Sequence, residues 1–511
     1  MNNVQKTLRN SVFSVSAQIV TMILGFVSRR VFIIYLDIEL LGYQTLFSNV
    51  FSLLSVAELG IGEIITFHLY KEIVENNEEE IGKLMKLYKW MYRCVAMTVL
   101  VFGSFCYFIL PVFVREENAD WSFLYLVYFF QLAGVVLGYF LSYKRTIYFA
   151  NQKEYKCAEI DVAVKFTTEI LRLVLLVYLK SFLVYLVIGL STQIIANVII
   201  ALRSRKDYPY LKKKYYVSVE DIKKRNLFSD LSNFLVHSIC GAIYFGTDNI
   251  IISAFCGVRA VGLYGNYTAI SSSVTQLLLQ KLLNPVKATI GNIVYGNRSK
   301  EELWEQFRVF DIFSFFYAAY IGLGFLIFYQ PVIRIWMGKE LLLPFSFVVL
   351  YSMTIYANAI TEIVYKYRSV FGDYKNDRNF VMASAVSNLL VSIPGAMFFG
   401  VPGVQFGTLV AFLLIAYGRN RFVIKGFFHQ SRKKYYGRHM VYFFIVIVEG
   451  VFCALLGLNL PISLAGFVLR IIIWIAVPAV INILVFYRDP YFQGMVRMFR
   501  KMVKRQNGGM K

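Results

Sequence analysis

The sequence predicts an all-α integral membrane protein with about 14 transmembrane helices, arranged as two six-helix lobes and a C-terminal helix pair. Three observations carry this expectation. Mean hydropathy is +0.57 and only 16% of the 511 residues are charged, against about a quarter in soluble domains. Long apolar runs recur along the whole chain. The chain also repeats itself at a spacing of about 220 residues, the mark of a two-part transporter architecture.

A helix that crosses a bilayer needs about 20 predominantly apolar residues. Stretches that qualify are 11–36, 42–70, 90–113, 121–143, 158–179, 182–202, 229–254, 260–286, 309–330, 344–365, 379–400, 403–424, 440–458 and 463–487. The first follows Lys6 and Arg9, is interrupted by Arg29-Arg30 and lacks a small-residue cleavage site, so it reads as a retained helix rather than a signal peptide. Gly60 and Gly62 in the second, Pro285 in the eighth, and Pro394 and Pro402 near the eleventh and twelfth mark bends or close helix contacts. External loops are short, the longest being 114–121 and 331–343.

An even number of spans puts both termini on one side. The formal charge of +22 decides which side, because most of the 53 Lys and Arg lie in the termini and in loops 71–93, 144–156, 203–225, 287–308, 366–378, 419–438 and 488–511. Under the positive-inside rule these are cytoplasmic, and so are both termini. The basic excess is topogenic; some loops also face anionic headgroups, and no nucleic acid partner is expected. The six cysteines show no CxxC spacing and read as packing residues. The four histidines lack metal-ligand spacing, and no cofactor is implied.

The repeat pairs Gly42 with Gly262, Ser52 with Ser272, Ile73-Val74 with Ile293-Val294, Asn77 with Asn297 and Pro111-Val112 with Pro331-Val332. Lys213-Lys214-Tyr215-Tyr216 returns as Lys433-Lys434-Tyr435-Tyr436. With six spans in each half, both halves enter the membrane from the same side, related by a pseudo-twofold axis along its normal, with a central cleft expected. The expected organisation is an N-terminal lobe at 1–203, a basic linker at 204–228, a C-terminal lobe at 229–425, an accessory pair at 426–487 and a basic tail at 488–511.

Charges inside spans are the candidate functional residues, since a mid-helix Arg, Lys or Asp costs about 2.5–3.5 kcal/mol on insertion scales. Arg29 and Arg30 lie on the external side of the first span and meet water, a counter-charge or a ligand, unless they snorkel to the interface. In the repeat Ser28-Arg29 corresponds to Asp248-Asn249, so an outer gate of Arg29 or Arg30 with Asp248 is expected. Glu58 and Glu63 in the second span face Lys281 in the eighth as an inner gate; the alternative is that each charge pairs locally. Lys165, Glu169 and Arg172 share one face of the fifth span, lining the cleft or forming an internal ladder. The cations Arg29, Arg30, Lys165, Arg172 and Lys281 slightly outnumber the acids, a lean toward an anionic substrate, and arginine favours phosphate because its planar fork binds two oxygens at once. Glu58, Glu63 and Asp248 are the gating or ion-coupling candidates.

Arg30-Val31-Phe32 through Tyr35-Leu36 to Leu41-Gly42, then Phe47-Ser48-Asn49, Ala57-Glu58-Leu59-Gly60-Ile61-Gly62 and His68-Leu69-Tyr70, resemble the bacterial polysaccharide repeat-unit flippases. These belong to the multidrug/oligosaccharidyl-lipid/polysaccharide exporter superfamily. Asp248-Asn249-Ile250-Ile251 and Val261-Gly262-Leu263-Tyr264 resemble the corresponding segment of the second half. The resemblance implies a two-lobed, fourteen-span fold in the cytoplasmic membrane. It implies movement of undecaprenyl-pyrophosphate-linked oligosaccharides to the outer leaflet for capsule, O-antigen or exopolysaccharide synthesis. Membrane lipids, a polysaccharide polymerase and glycosyltransferases would be partners. First-span arginines and cationic cavity walls are a family theme, answered here by Arg29, Arg30, Lys165, Arg172 and Lys281. The acidic residue expected in the first span of cation-coupled multidrug exporters is missing between Val12 and Leu36.

Two other readings remain: a cation-coupled multidrug or peptidoglycan-precursor exporter of the same superfamily, and a membrane glycan polymerase or ligase. The latter needs catalytic groups on a sizeable external loop, and no nucleotide-phosphate loop, HExxH or nucleophile and base constellation is visible. A transporter rather than an enzyme is expected.

Overall fold

Hydrocarbon offers no water to satisfy backbone N–H and C=O groups, so a chain this apolar must satisfy them within each segment, as helix. The computed structural model describes residues 3–114, 119–151, 153–217, 227–275, 290–291, 294, 299–371, 377–497 and 500; at 3–18, 56–60, 63, 64, 67, 71, 227–238, 244 and 245 it describes the backbone alone. In chain order the helices are α1 (Asn3–Leu36), α2 (Ile38–Leu54), α3 (Val56–Val74), α4 (Glu78–Cys106), α5 (Leu110–Phe113), α6 (Trp121–Ser142), α7 (Thr146–Ala150), α8 (Tyr155–Leu179) and α9 (Phe182–Asp207). They continue as α10 (Leu227–Cys256), α11 (Val258–Thr275), α12 (Lys300–Trp336), α13 (Phe345–Phe371), α14 (Arg378–Phe399), α15 (Val401–Asn420), α16 (Arg432–Gly457) and α17 (Leu464–Phe486). No strand occurs among the described residues.

Among those residues, 11 helices are long and apolar enough to cross a membrane, where fourteen spans were expected. The three differences have separate reasons. The stretch 42–70 is interrupted at Ser55, whose hydroxyl donates to the Phe51 carbonyl (2.6 Å) that also accepts the Ser55 backbone N–H; such back-bonding bends helices. The fifth stretch is helical as α8 over 25 residues, but Glu159, Asp161, Lys165, Glu169 and Arg172 make it too charged for an ordinary span. The stretch 260–286 is helical through Thr275 and then leaves the described residues.

Helix starts follow the expected chemistry. Asn77 Oδ1 accepts the Glu80 N–H (3.2 Å), with Glu78, Glu79 and Glu80 in the first turn of α4 where the helix dipole favours negative charge. Asp120, Ser299 and Ser463 cap α6, α12 and α17 in the same way.

The chain forms two compact units, Met1–Gly262 and Leu263–Lys511. In the first, α10 packs against α2 and α3, α1 against α8, and α6 against α4 and α9. In the second, α14 and α15 form a close hairpin, α15 also packs on α13, and α16 and α17 pack together and on α12. There Phe315 of α12 stacks on Tyr442 of α16 at 4.3 Å, so the accessory pair shares the unit's aromatic core.

The repeat is written into the backbone. Asp37 (φ 86°) separates α1 from α2, and Gly257 (φ 87°) separates α10 from α11. Lys180 (φ 48°) separates α8 from α9, and Gly400 (φ 64°) separates α14 from α15. Both pairs of left-handed positions keep the repeat's spacing. Its glycines also meet reciprocally: a Cβ on Gly42 would lie 2.3 Å from the Val258 carbonyl oxygen, and one on Gly262 would lie 2.5 Å from the Ile38 carbonyl oxygen. Val258 and Ile38 are themselves repeat partners, so the contact has the pairing pattern of a twofold interface.

Because carbonyl oxygens leave no room for a methyl group, Gly42→Val and Gly262→Val should each cost about 1–3 kcal/mol by overpacking. Gly241→Ala, with nothing within 4 Å of the added atom, should leave thermal stability in detergent unchanged. Melting curves of the three variants check this; equal Tm values would remove the reciprocal contact from the account.

Candidate functional site

Charged side chains converge where α1, α8 and α9 pack. Phe32 of α1, fully buried, sits edge-on to Tyr185 (4.6 Å) and Phe182 (5.8 Å) of α9, which fixes the rotation of α1. One turn earlier Ser28 is buried and Arg29 and Arg30 are half-buried. Arg29 has Tyr185 as an electrostatic neighbour. Arg172 of α8 lies flat on the same ring, its Cζ 3.5 Å from the centroid, donates from Nε to the Tyr185 carbonyl (3.2 Å) and pairs through Nη1 with Glu169 Oε1 (3.0 Å). A Cβ on Gly189 would lie 2.7 Å from Arg172 Nη2, so glycine opens the slot the guanidinium occupies.

The structure therefore brings Arg29, Arg172 and Glu169 around Tyr185. Lys165, on α8, is exposed and forms no ion pair with Glu169. Asp248 is 4% exposed in α10, in the same compact unit as Arg29 and Arg30; Ser28, its repeat partner, is 4% exposed. Glu58 and Glu63 lie on α3, but their side chains are outside the described residues, as is the whole of Lys281.

Several intramembrane polar groups were not singled out from sequence. Glu449 in α16 is fully buried and accepts a 2.6 Å hydrogen bond from Asn482 Nδ2 of α17. Asp311 of α12 meets His439 Nε2 at 3.0 Å and accepts from the Tyr435 hydroxyl at 3.4 Å. Arg470 of α17 donates to the carbonyls of Pro461 and Leu460 (3.0 and 2.5 Å). Their signal was present: single charges in long apolar runs, which are functional candidates by default.

The family described as polysaccharide biosynthesis protein matches residues 7–288, more than half of the chain. The chain belongs to this family. This polysaccharide biosynthesis protein shares its fold with solved structures of low sequence identity. A structure of the lipid II flippase MurJ in an inward closed conformation aligns with TM-score 0.68 at 16% identity, covering 94% of this chain and 99% of that one. An inward-facing multidrug resistance MATE family transporter of the MOP superfamily aligns with TM-score 0.58 at 14% identity, covering 80% and 97%. A mutant of the Vibrio cholerae MATE transporter VcmN aligns with TM-score 0.51 at 14% identity, covering 81% and 98%. No curated protein sequence matches the chain.

Removing one member of a fully buried ion pair costs about 3–5 kcal/mol, whereas replacing both by apolar groups is often neutral. Glu169 and Arg172 are 16% and 12% exposed, so the cost here lies at the lower end of that range or below it. Glu169→Ala should lower the Tm markedly. The double variant Glu169→Leu/Arg172→Met should recover most of that loss, as read by thermal unfolding in detergent; a double variant no more stable than Glu169→Ala contradicts a simple pair.

Proposed function

We propose that this protein moves undecaprenyl-pyrophosphate-linked oligosaccharide repeat units from the cytoplasmic to the outer leaflet of the cytoplasmic membrane, by alternating access, with both termini cytoplasmic. The observation that carries the reading is the membership in the polysaccharide biosynthesis family of a segment whose first span holds two arginines and no acid between Val12 and Leu36. A pyrophosphate esterified by lipid and sugar is a compact dianion that must be desolvated to pass, and a pair of guanidinium forks replaces its water with charge-assisted hydrogen bonds. Arg29 and Arg30 are the primary phosphate ligands in this reading. Lys165, Arg172 and Lys281 make the surrounding wall cationic. Glu58, Glu63 and Asp248 serve gating or ion coupling, with Asp248 closing against the arginines when the anion has left.

The polyprenyl tail need not be desolvated at all, because it stays in hydrocarbon while the headgroup crosses. The sugar exchanges water for polar side chains. Polymerase and glycosyltransferases of the same pathway would supply and consume the substrate, and a gradient or product consumption would set the direction.

Reconstitution in proteoliposomes tests this reading. Wild type should expose a fluorescent polyprenyl-pyrophosphate oligosaccharide to an impermeant quencher at least tenfold faster than the Arg29→Ala/Arg30→Ala variant at equal insertion. Wild-type efflux of cationic dyes without movement of the lipid-linked sugar would overturn it in favour of a multidrug exporter.

A further inference from the structure

At the end of the first unit where α4 begins and α6 and α9 finish, a cavity of about 640 Å³ is walled mostly by cations and aromatic rings. Lys86, Lys89 and Arg93 follow Gly82 on one face of α4, at helical spacings that stack them. Lys144 comes from the turn after α6 and Arg205 from the last turn of α9. The segment after α9, with Lys212, Lys213, Lys214, Tyr215 and Tyr216, closes the remaining side.

That wall is held in place. The Tyr215 ring lies against Gly82, where a Cβ would come within 2.1 Å of it; its hydroxyl donates to the Tyr210 carbonyl (2.7 Å). Lys86 Nζ donates to the Tyr215 carbonyl and lies 5.2 Å from the Tyr216 ring centroid.

The remaining charges show what the cavity lacks. Among the described residues Glu79 and Glu80 pair with Lys83, Asp161 with Arg145 through two 2.7 Å contacts, Asp207 with Lys156 and Glu159 with Arg203, while Glu78 is an electrostatic neighbour of Tyr215. Lys89, Arg93, Lys144 and Arg205 form no ion pair with a carboxylate among the described residues, and Lys89 and Lys144 are each electrostatic neighbours of Arg205. Stacked like charges oppose folding, so the cluster is not explained by stability. The repeat supplies a contrast. In the second unit the equivalent Lys-Lys-Tyr-Tyr segment buries Tyr435, which donates to Asp311, and Tyr436 donates to the Tyr417 carbonyl. The first tyrosine of the motif donates to an acid there and to a backbone carbonyl here.

We propose that this cavity is a binding site for lipid phosphate headgroups on the membrane face that carries the basic loops. Phosphate oxygens fit the chemistry because several cations converge on one volume from three segments. Trp90, Tyr143 and Tyr216 also line it, and Trp and Tyr are the residue types enriched where lipid headgroups meet their chains. The site is separate from Arg29 and Arg30 and does not rest on the direction of transport. Two sources share this chemistry, a polyprenyl diphosphate and the bulk anionic phospholipid.

The test is lysine acylation of the purified full chain in neutral detergent, read residue by residue by mass spectrometry. Farnesyl diphosphate or phosphatidylglycerol is added, with phosphatidylcholine as reference. Acylation of Lys89 and Lys144 should slow at least threefold, and the protection should fade as salt rises. Protection by farnesyl diphosphate alone assigns the site to lipid diphosphates; equal protection by phosphatidylglycerol assigns it to bulk anionic lipid. No protection by either overturns the proposal. In direct binding, Lys89→Gln/Lys144→Gln/Arg205→Gln should weaken affinity about tenfold or more while Lys89→Arg/Lys144→Arg keeps it; unchanged affinity in the glutamine variant also overturns it.

Discussion

The cost of carrying charge through hydrocarbon governs this protein. Each uncompensated intramembrane charge costs about 2.5–3.5 kcal/mol on insertion scales, and the chain meets that cost in distinct ways. Arg172 is satisfied three times over, by a carboxylate, a carbonyl and a ring face. Arg470 donates to two backbone carbonyls, and Glu449 accepts from an asparagine on the neighbouring helix. These arrangements fix helix rotations, because a helix turned by one residue would leave a charge in lipid. In the basic segments outside the apolar spans, Lys89, Arg93, Lys144 and Arg205 line one cavity and pair with no carboxylate among the described residues.

The internal repeat sets the second constraint. Its left-handed junctions at Asp37 and Gly257, and at Lys180 and Gly400, end one helix and start the next at corresponding places in both halves. Reciprocal packing of Gly42 on Val258 and of Gly262 on Ile38 then follows from one sequence pattern used twice. Beyond the Lys-Lys-Tyr-Tyr match in the first turn of α16, the accessory helices α16 and α17 extend the aromatic core of α12.

Much of this was readable from residues alone. Composition and apolar runs gave the helical membrane class, and matched Gly, Pro and Lys-Lys-Tyr-Tyr positions gave the repeat before any coordinates. Other features were hidden for physical reasons. The interruption at Ser55 depends on a side-chain hydroxyl competing for one carbonyl, which a hydropathy count does not register. The membrane fit of α8 depends on where its charges find partners: Asp161 pairs with Arg145 and Glu169 with Arg172, while Lys165 stays exposed. The ladder pattern of Lys165, Glu169 and Arg172 marked the helix face but not that only two of the three would pair. The cationic cavity needed tertiary structure altogether, since its walls come from segments more than a hundred residues apart and its closure rests on Tyr215 fitting over Gly82.

The measurement that tests the central claim most directly is the leaflet distribution of the lipid-linked oligosaccharide in intact cells depleted of this protein, read with a membrane-impermeant reagent that modifies its sugar. The account predicts that the oligosaccharide accumulates and is protected from the reagent, and that resupplying the protein restores exposure. An unchanged exposed fraction after depletion would contradict it.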